Sequence, residues 1–152
     1  MEKEGLGKLH RSSKGVYTVS KWVSILVVDN DEIVRNVLKY DLKLDGFNVY
    51  VAEDGPTGIK LAQENGPELI LLDWMMPGMD GLEVLSELKH DERTEDIPVF
   101  MLTGRGAISY LNRAIDAGAD DYIKKPFKLK ELSEIVKDKW REYKRKYRAN
   151  VW

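Results

Sequence analysis

Short apolar runs and helix-spaced apolar positions take turns along this chain, and each change of period marks an element. Ile25-Leu-Val-Val is a β-branched run that stops at Asp29, the pattern of a strand buried on both faces. Ile33, Val34, Val37, Leu38 and Leu42 then recur at helical spacing until Gly46 ends the helix. Phe47-Asn-Val-Tyr-Val predicts a second strand, and Pro56 opens a second helix through Ile59, Leu61 and Ala62 that stops at Asn65-Gly66. Leu69-Ile-Leu-Leu-Asp is the third strand, followed by a Pro77-Gly78 loop and a helix from Leu82 to Lys89. Pro98-Val-Phe-Met-Leu is the fourth strand, and Ala107 to Ala117 the fourth helix, closed by Gly118. The short strand Asp121-Tyr-Ile-Lys and a long helix from Lys128 complete the series. Strands alternating with helices in this way predict an α/β domain with a parallel sheet covered by helices on both faces.

The two ends read differently. Residues 1–21 hold no sustained period and predict a flexible arm, with Val16-Tyr-Thr-Val as a short strand. In the last helix Leu132, Val136, Trp140, Tyr143 and Tyr147 form one apolar stripe that outruns the length needed to cross a sheet. The expected organisation is an arm over 1–21, a domain over 22–138, and a basic, aromatic extension of the last helix over 139–152. That extension suits a solvated helix whose aromatics fold back, or a contact with a second copy or a target.

Composition narrows the chemistry. With no cysteine and only two histidines, His10 and His90, there is no disulfide framework, no thiolate nucleophile and no Cys- or His-rich metal site. No apolar run approaches the ~18 residues of a membrane span, and the first residues lack the apolar stretch of a secretion signal. A cytoplasmic protein without a membrane partner is the expectation. The net charge of −2 is unevenly spread, +3 over residues 1–21 and +5 over 137–148, which leaves about −10 in the body. An acidic body gathers carboxylates, as for a cation, and does not suit a nucleic-acid surface.

The polar residues at the predicted strand ends carry the candidate chemistry. Asp29-Asn30-Asp31 ends the first strand, Asp73 the third, Thr103 the fourth and Lys124-Lys125 the fifth. A parallel sheet brings these ends to one edge, where ligands bind in such folds. Crowded carboxylates call for a cation, and hard oxygens suit Mg²⁺. A hydroxyl and an ammonium beside them suit the oxygens of a phosphoryl group, and a carboxylate can accept that group as an acyl phosphate. Taken singly, each residue has a plainer reading: Asp73 as a turn former, Lys125 as a solvated surface charge, Tyr122 as packing, and Trp74, Met75 and Met76 as filler above the pocket.

Leu71-Leu-Asp-Trp-Met-Met-Pro-Gly-Met-Asp-Gly, Met101-Leu-Thr-Gly and Asp121-Tyr-Ile-Lys-Lys-Pro-Phe stand in order, with 30 residues from Asp73 to Thr103 and 22 more to Lys125. With these strings, residues 24 to about 138 resemble the response-regulator receiver domain of two-component signalling, in the form of a single-domain, chemotaxis-type regulator. The resemblance implies a doubly wound, flavodoxin-like sheet of strand order 2-1-3-4-5. It implies that Asp73 accepts a phosphoryl group from a histidine kinase or phosphotransfer protein. Mg²⁺ (or Mn²⁺) would be held by Asp29, the residue at position 30, Asp73 and the backbone carbonyl of Met75. Lys125 would pair with Asp73, Thr103 would bind the phosphoryl group, and Pro126 would shape the lysine's loop through a cis bond. Tyr122 would swing in behind Thr103 and alter the surface of the fourth helix, fifth strand and fifth helix, where a downstream protein docks. Met75 and Arg105 would limit access of water to the acyl phosphate. The protein would not be an enzyme beyond its own phosphorylation and dephosphorylation.

One position departs from that pattern. Asn30 stands where the family usually has a second acid. Its amide oxygen can ligate Mg²⁺ but brings no charge, and Asp31 next to it is expected to cap the helix. Two alternatives follow. A receiver fold that no longer needs phosphorylation would act purely as a binding module. A haloacid-dehalogenase-like phosphatase would use Asp29-Asn-Asp and Gly118-Ala-Asp-Asp, but it requires a hairpin flap where a helix is predicted. With 26 residues after Pro126, no separate DNA-binding domain is expected, and output would be protein contact, a homodimer through the last helices included.

Overall fold

The computed structural model describes residues 9–11, 17–19, 23–104, 108–125 and 127–149. Two short strands, β1 (Leu9–Arg11) and β2 (Tyr17–Val19), pair antiparallel within the predicted arm. β2 falls on the expected short strand. β1 carries no signal, since three residues are too few for a period.

The body alternates β3 (Ser24–Val28), α1 (Glu32–Leu44), β4 (Asn48–Ala52), α2 (Gly55–Asn65), β5 (Leu69–Asp73), α3 (Gly81–Lys89), β6 (Val99–Thr103), α4 (Ile108–Asp116), β7 (Asp121–Lys124) and α5 (Leu129–Ala149). All ladders among β3–β7 are parallel, and the order β4-β3-β5-β6-β7 is the expected 2-1-3-4-5. Every residue of the central β5 and of β6 is buried, as their unbroken apolar runs require, while β4 and β7 are partly exposed edges.

Side-chain alternation divides the core into two layers. Ile25, Val27, Leu69, Leu71, Phe100 and Leu102 face α1 and α5. Leu26, Val28, Ile70, Leu72 and Met101 face the residues of α2, α3 and α4. Three helices start on aspartate caps in the loops that follow strands. Asp31 accepts from the amides of Ile33 and Val34, Asp54 from Thr57 and Asp80 from Glu83.

α5 runs without a break past Asp138. Trp140, on the part of the stripe expected to outrun the sheet, is buried at 7% exposure. Its ring stacks on Tyr143, and Tyr143 meets Phe100 edge-on. The stripe therefore tucks under the sheet's lower edge, and among its aromatics Tyr147 is the one left exposed.

Candidate functional site

Asp29 directly follows β3, and its amide donates to the Ala52 carbonyl of the neighbouring strand. Asp73 is the last residue of β5, paired with Leu102 of β6, and the Trp74 amide donates to that same residue's carbonyl. Both aspartates are buried, at 0% and 2% exposure. Buried carboxylates need partners. Asp29 Oδ1 accepts from the Asp31 amide at 2.8 Å, and its Oδ2 lies 3.4 Å from Lys125 Nζ. The same ammonium donates to Asp73 Oδ1 at 3.1 Å.

One ammonium thus faces two carboxylates, which leaves a buried excess of negative charge. Burial raises the Asp73 carboxyl, and the Asp29 charge raises it further, against the pull of Lys125, so that it is pushed up to about 6. For Lys125, burial works against the ammonium, but the charges of Asp29 and Asp73 outweigh it and hold its pKa above the usual lysine value.

Lys125 reaches this point from the end of β7, where its amide donates to the Thr103 carbonyl at 2.7 Å. Thr103 is itself buried and opposite Lys124 in the ladder. Tyr122 lies opposite Met101, two residues lower on the same face as Thr103, half-buried against the α2–α4 layer. Lys139 of α5 sits over its ring at 5.9 Å and pairs with Asp121 at 3.1 Å. Pro126 and Arg105 lie outside the described residues.

Of the residues expected above the pocket, Trp74 and Met76 belong to the core and Met75 is exposed. The Trp74 ring meets Tyr110 of α4 edge-on at 5.9 Å. Asn30 is next to Asp73. One end of its amide lies 3.0 Å from Asp73 Oδ2 and 3.3 Å from Met75 O, and because both neighbours are acceptors that end is assigned as the nitrogen, which then donates to both.

Two contributors escaped the sequence. Arg35 reaches back one turn and a half along α1 to donate to the Asp29 carbonyl at 2.8 Å, and nothing in its pattern separates it from a surface arginine. Gly81 opens α3 against the backbone of Asp73 and Trp74, where a β-carbon would stand 2.4 Å from the Asp73 carbonyl oxygen and 2.7 Å from Trp74 Cα. Its place in the quoted Asp73–Gly81 string was a signal without a physical reading.

The acidic pair of the rival phosphatase reading is elsewhere. Asp120 accepts from the Val99 amide, beside Lys89 at the opposite edge of the sheet, and α1 follows the first sheet strand without a flap.

The donor set is suited to a hard divalent cation. Two buried carboxylates in excess of their one ammonium, together with the Met75 carbonyl, supply oxygens and charge. Among the described residues no group of three or more His, Cys, Asp or Glu side chains stands ready for a metal, so the negative charge comes from Asp29 and Asp73.

Known proteins match this architecture. The model of the response regulator receiver domain family matches residues 25–137. Over 110 residues the chain is 44% identical to response regulator MprA of Mycobacterium sp. strain KMS, covering 72% of this chain and 47% of MprA. Over 113 residues it is 43% identical to the phosphate regulon transcriptional regulatory protein PhoB of Escherichia coli K12, covering 74% and 49%. The chain spans about half the length of these curated relatives. Among solved structures it is similar to the chemotaxis protein CheY4 of Vibrio cholerae, with a TM-score of 0.71 at 25% identity, covering 77% of this chain and 98% of that one.

Proposed function

The chain belongs to the response regulator receiver domain family, and on that premise we propose that Asp73 is its phosphoacceptor in two-component signalling. The observation that carries this is the ammonium of Lys125 bridging two buried carboxylates at the carboxyl edge of the sheet. An ionised Asp73 oxygen attacks the phosphorus of a phosphohistidine on a kinase or phosphotransfer protein. The new O–P bond forms as the N–P bond breaks, and the imidazole leaves with the bond's electron pair.

Lys125 is already within hydrogen-bond reach of Asp73 Oδ1, so it can follow the negative charge onto the phosphoryl oxygens with little movement. Thr103, joined to the lysine's strand by the Lys125–Thr103 backbone bond, supplies a hydroxyl at the neighbouring strand end. A divalent cation such as Mg²⁺ or Mn²⁺, held by Asp29, Asp73, the Met75 carbonyl and a suitably turned Asn30 amide, would neutralise charge on the transferring group. Trp74, which follows Asp73 directly, is buried beside it.

Thr103 and Tyr122 share one face of the sheet, and Lys139 holds the Tyr122 region to α5. Recruitment of Thr103 by the phosphoryl group would be felt there, on the α4–β7–α5 surface, as contact with a downstream protein. No helix among the described residues is long and apolar enough to cross a membrane.

The test is intact mass after incubation with acetyl phosphate and Mg²⁺. One added phosphoryl group, absent in Asp73→Asn, supports the reading. No adduct at any Mg²⁺ concentration turns it toward a receiver-fold binding module that works without phosphorylation, which Asn30 favours.

A further inference from the structure

Asn30 does more here than lack a charge. We propose that its side-chain amide competes with the divalent cation for the acceptor, holding by hydrogen bonds the same oxygens that a cation would have to hold. This rests on the assignment of Asp73 and the Met75 carbonyl as cation donors made above.

The geometry is specific. One end of the Asn30 amide has two acceptors before it, Asp73 Oδ2 at 3.0 Å and Met75 O at 3.3 Å, and assigning that end as Nδ2, with its two hydrogens, satisfies both. Asp73 Oδ1 is taken by Lys125 at 3.1 Å. Both oxygens of the phosphoacceptor are therefore served by donors of the chain itself, one an ammonium and one an amide. The amide also ties the end of β3 to the loop after β5, the link a shared cation would otherwise make. A carboxylate at position 30 has no hydrogen to give, so it could join Asp73 and Met75 only through a metal.

The consequence concerns the direction of the amide. As a cation ligand, Asn30 must present its oxygen, and the oxygen and nitrogen of a carboxamide lie on opposite sides. Cation binding then breaks both hydrogen bonds and turns the amide over before a ligand is gained. Asn30 is exposed to solvent and has the freedom to turn. The site is thereby held together without metal and binds metal weakly.

Two substitutions separate a competitor from a ligand. Mg²⁺ affinity is read by isothermal calorimetry, and Mn²⁺ affinity by loss of the free-ion electron paramagnetic resonance signal, with no phosphoryl donor present. In Asn30→Ala both the amide donor and the amide oxygen are gone. A competitor's removal leaves Mg²⁺ affinity equal to or tighter than in the natural chain, while the melting temperature in EDTA falls. In Asn30→Asp, affinity rises at least tenfold and the melting temperature becomes strongly dependent on Mg²⁺, where that of the natural chain moves little.

Weaker binding in Asn30→Ala than in the natural chain overturns the proposal, because it makes Asn30 a net ligand. So does an EDTA melting temperature unchanged by the loss of the amide. If the acceptor takes a phosphoryl group while Asn30→Ala binds Mg²⁺ more weakly, only this proposal falls. If no variant binds either cation and Asp73 takes no phosphoryl group, the phosphoacceptor reading falls with it.

Discussion

The ammonium of Lys125 lies 3.1 Å from the carboxylate of Asp73, across 52 residues of chain and two strand ends. It also lies 3.4 Å from Asp29, so one cation is shared between two buried carboxylates. Removing one partner of such a set leaves charge stranded, which costs more than the pair was worth. Lys125→Met should lower stability in EDTA by about 1–3 kcal/mol, less than for a fully buried group because the lysine side chain is 27% exposed. Adding Asp73→Asn should restore most of that loss. Chemical denaturation of the four proteins of the cycle measures it, and additive losses would show that the two groups are not coupled.

Asp73 also makes stability depend on pH. Its folded carboxyl sits at about 6, above the ordinary 3.8. For a raised acid, the stabilising effect of proton uptake is complete below about 3.8 and is lost as pH rises through about 6. Above that point the ionised group weakens the fold. In EDTA, Asp73→Asn should therefore be more stable than the natural chain at pH 7–8, by about 1–3 kcal/mol, and the gain should shrink as pH falls toward 4. A gain that is constant across this range would place the cause elsewhere. Phosphorylation by acetyl phosphate should slow as pH drops through about 6, because the ionised carboxylate is the nucleophile.

Gly81 positions Asp73 by what it lacks. A β-carbon there would meet the Asp73 carbonyl oxygen at 2.4 Å and Trp74 Cα at 2.7 Å, both backbone atoms that cannot rotate aside. The Gly81 amide meanwhile donates to the Trp74 carbonyl at 2.8 Å, which closes the loop on itself. Gly81→Ala should cost about 1–3 kcal/mol and slow phosphoryl uptake at Asp73. Denaturant midpoints and the time course of the mass adduct check the two effects separately, and an unchanged rate would detach Gly81 from the acceptor.

Much of this was legible in the sequence because strand and helix periods change at well-marked polar punctuation. Leu69–Asp73 and Asp121–Lys124 fall where the pattern put them, since each run ends at a charged residue. Phe47 was expected to open a strand and is instead a buried residue just before β4, because apolar character reports burial and not hydrogen bonding. The convergence of Asp29, Asp73 and Lys125 followed from the parallel sheet alone. The direction of the Asn30 amide did not, because it depends on which oxygens face it across a loop. Arg35 was invisible for a similar reason: its role is one side-chain contact to a carbonyl, and no spacing rule encodes that.

Trp140 and Tyr147 share the stripe on α5 yet should behave oppositely. Trp140 is 7% exposed, stacked on Tyr143, which in turn meets Phe100 of β6, whereas Tyr147 is 63% exposed at the end of the stack. Among the described residues the indole nitrogen of Trp140 has no hydrogen-bond partner, so the residue contributes apolar area and not a polar tether. Trp140→Ala should cost about 3–5 kcal/mol, Trp140→Phe much less, and Tyr147→Ala under about 0.5 kcal/mol. A chain cut after Asp138 would lose part of the core and should melt well below the full chain, not merely lose a docking surface. Guanidinium denaturation of these four variants decides between the two roles. Equal, small effects of Trp140→Ala and Tyr147→Ala would mean that the end of α5 is an accessory. A large cost confined to Trp140 makes it part of the fold and leaves Tyr147 as the stripe's solvent-facing contact.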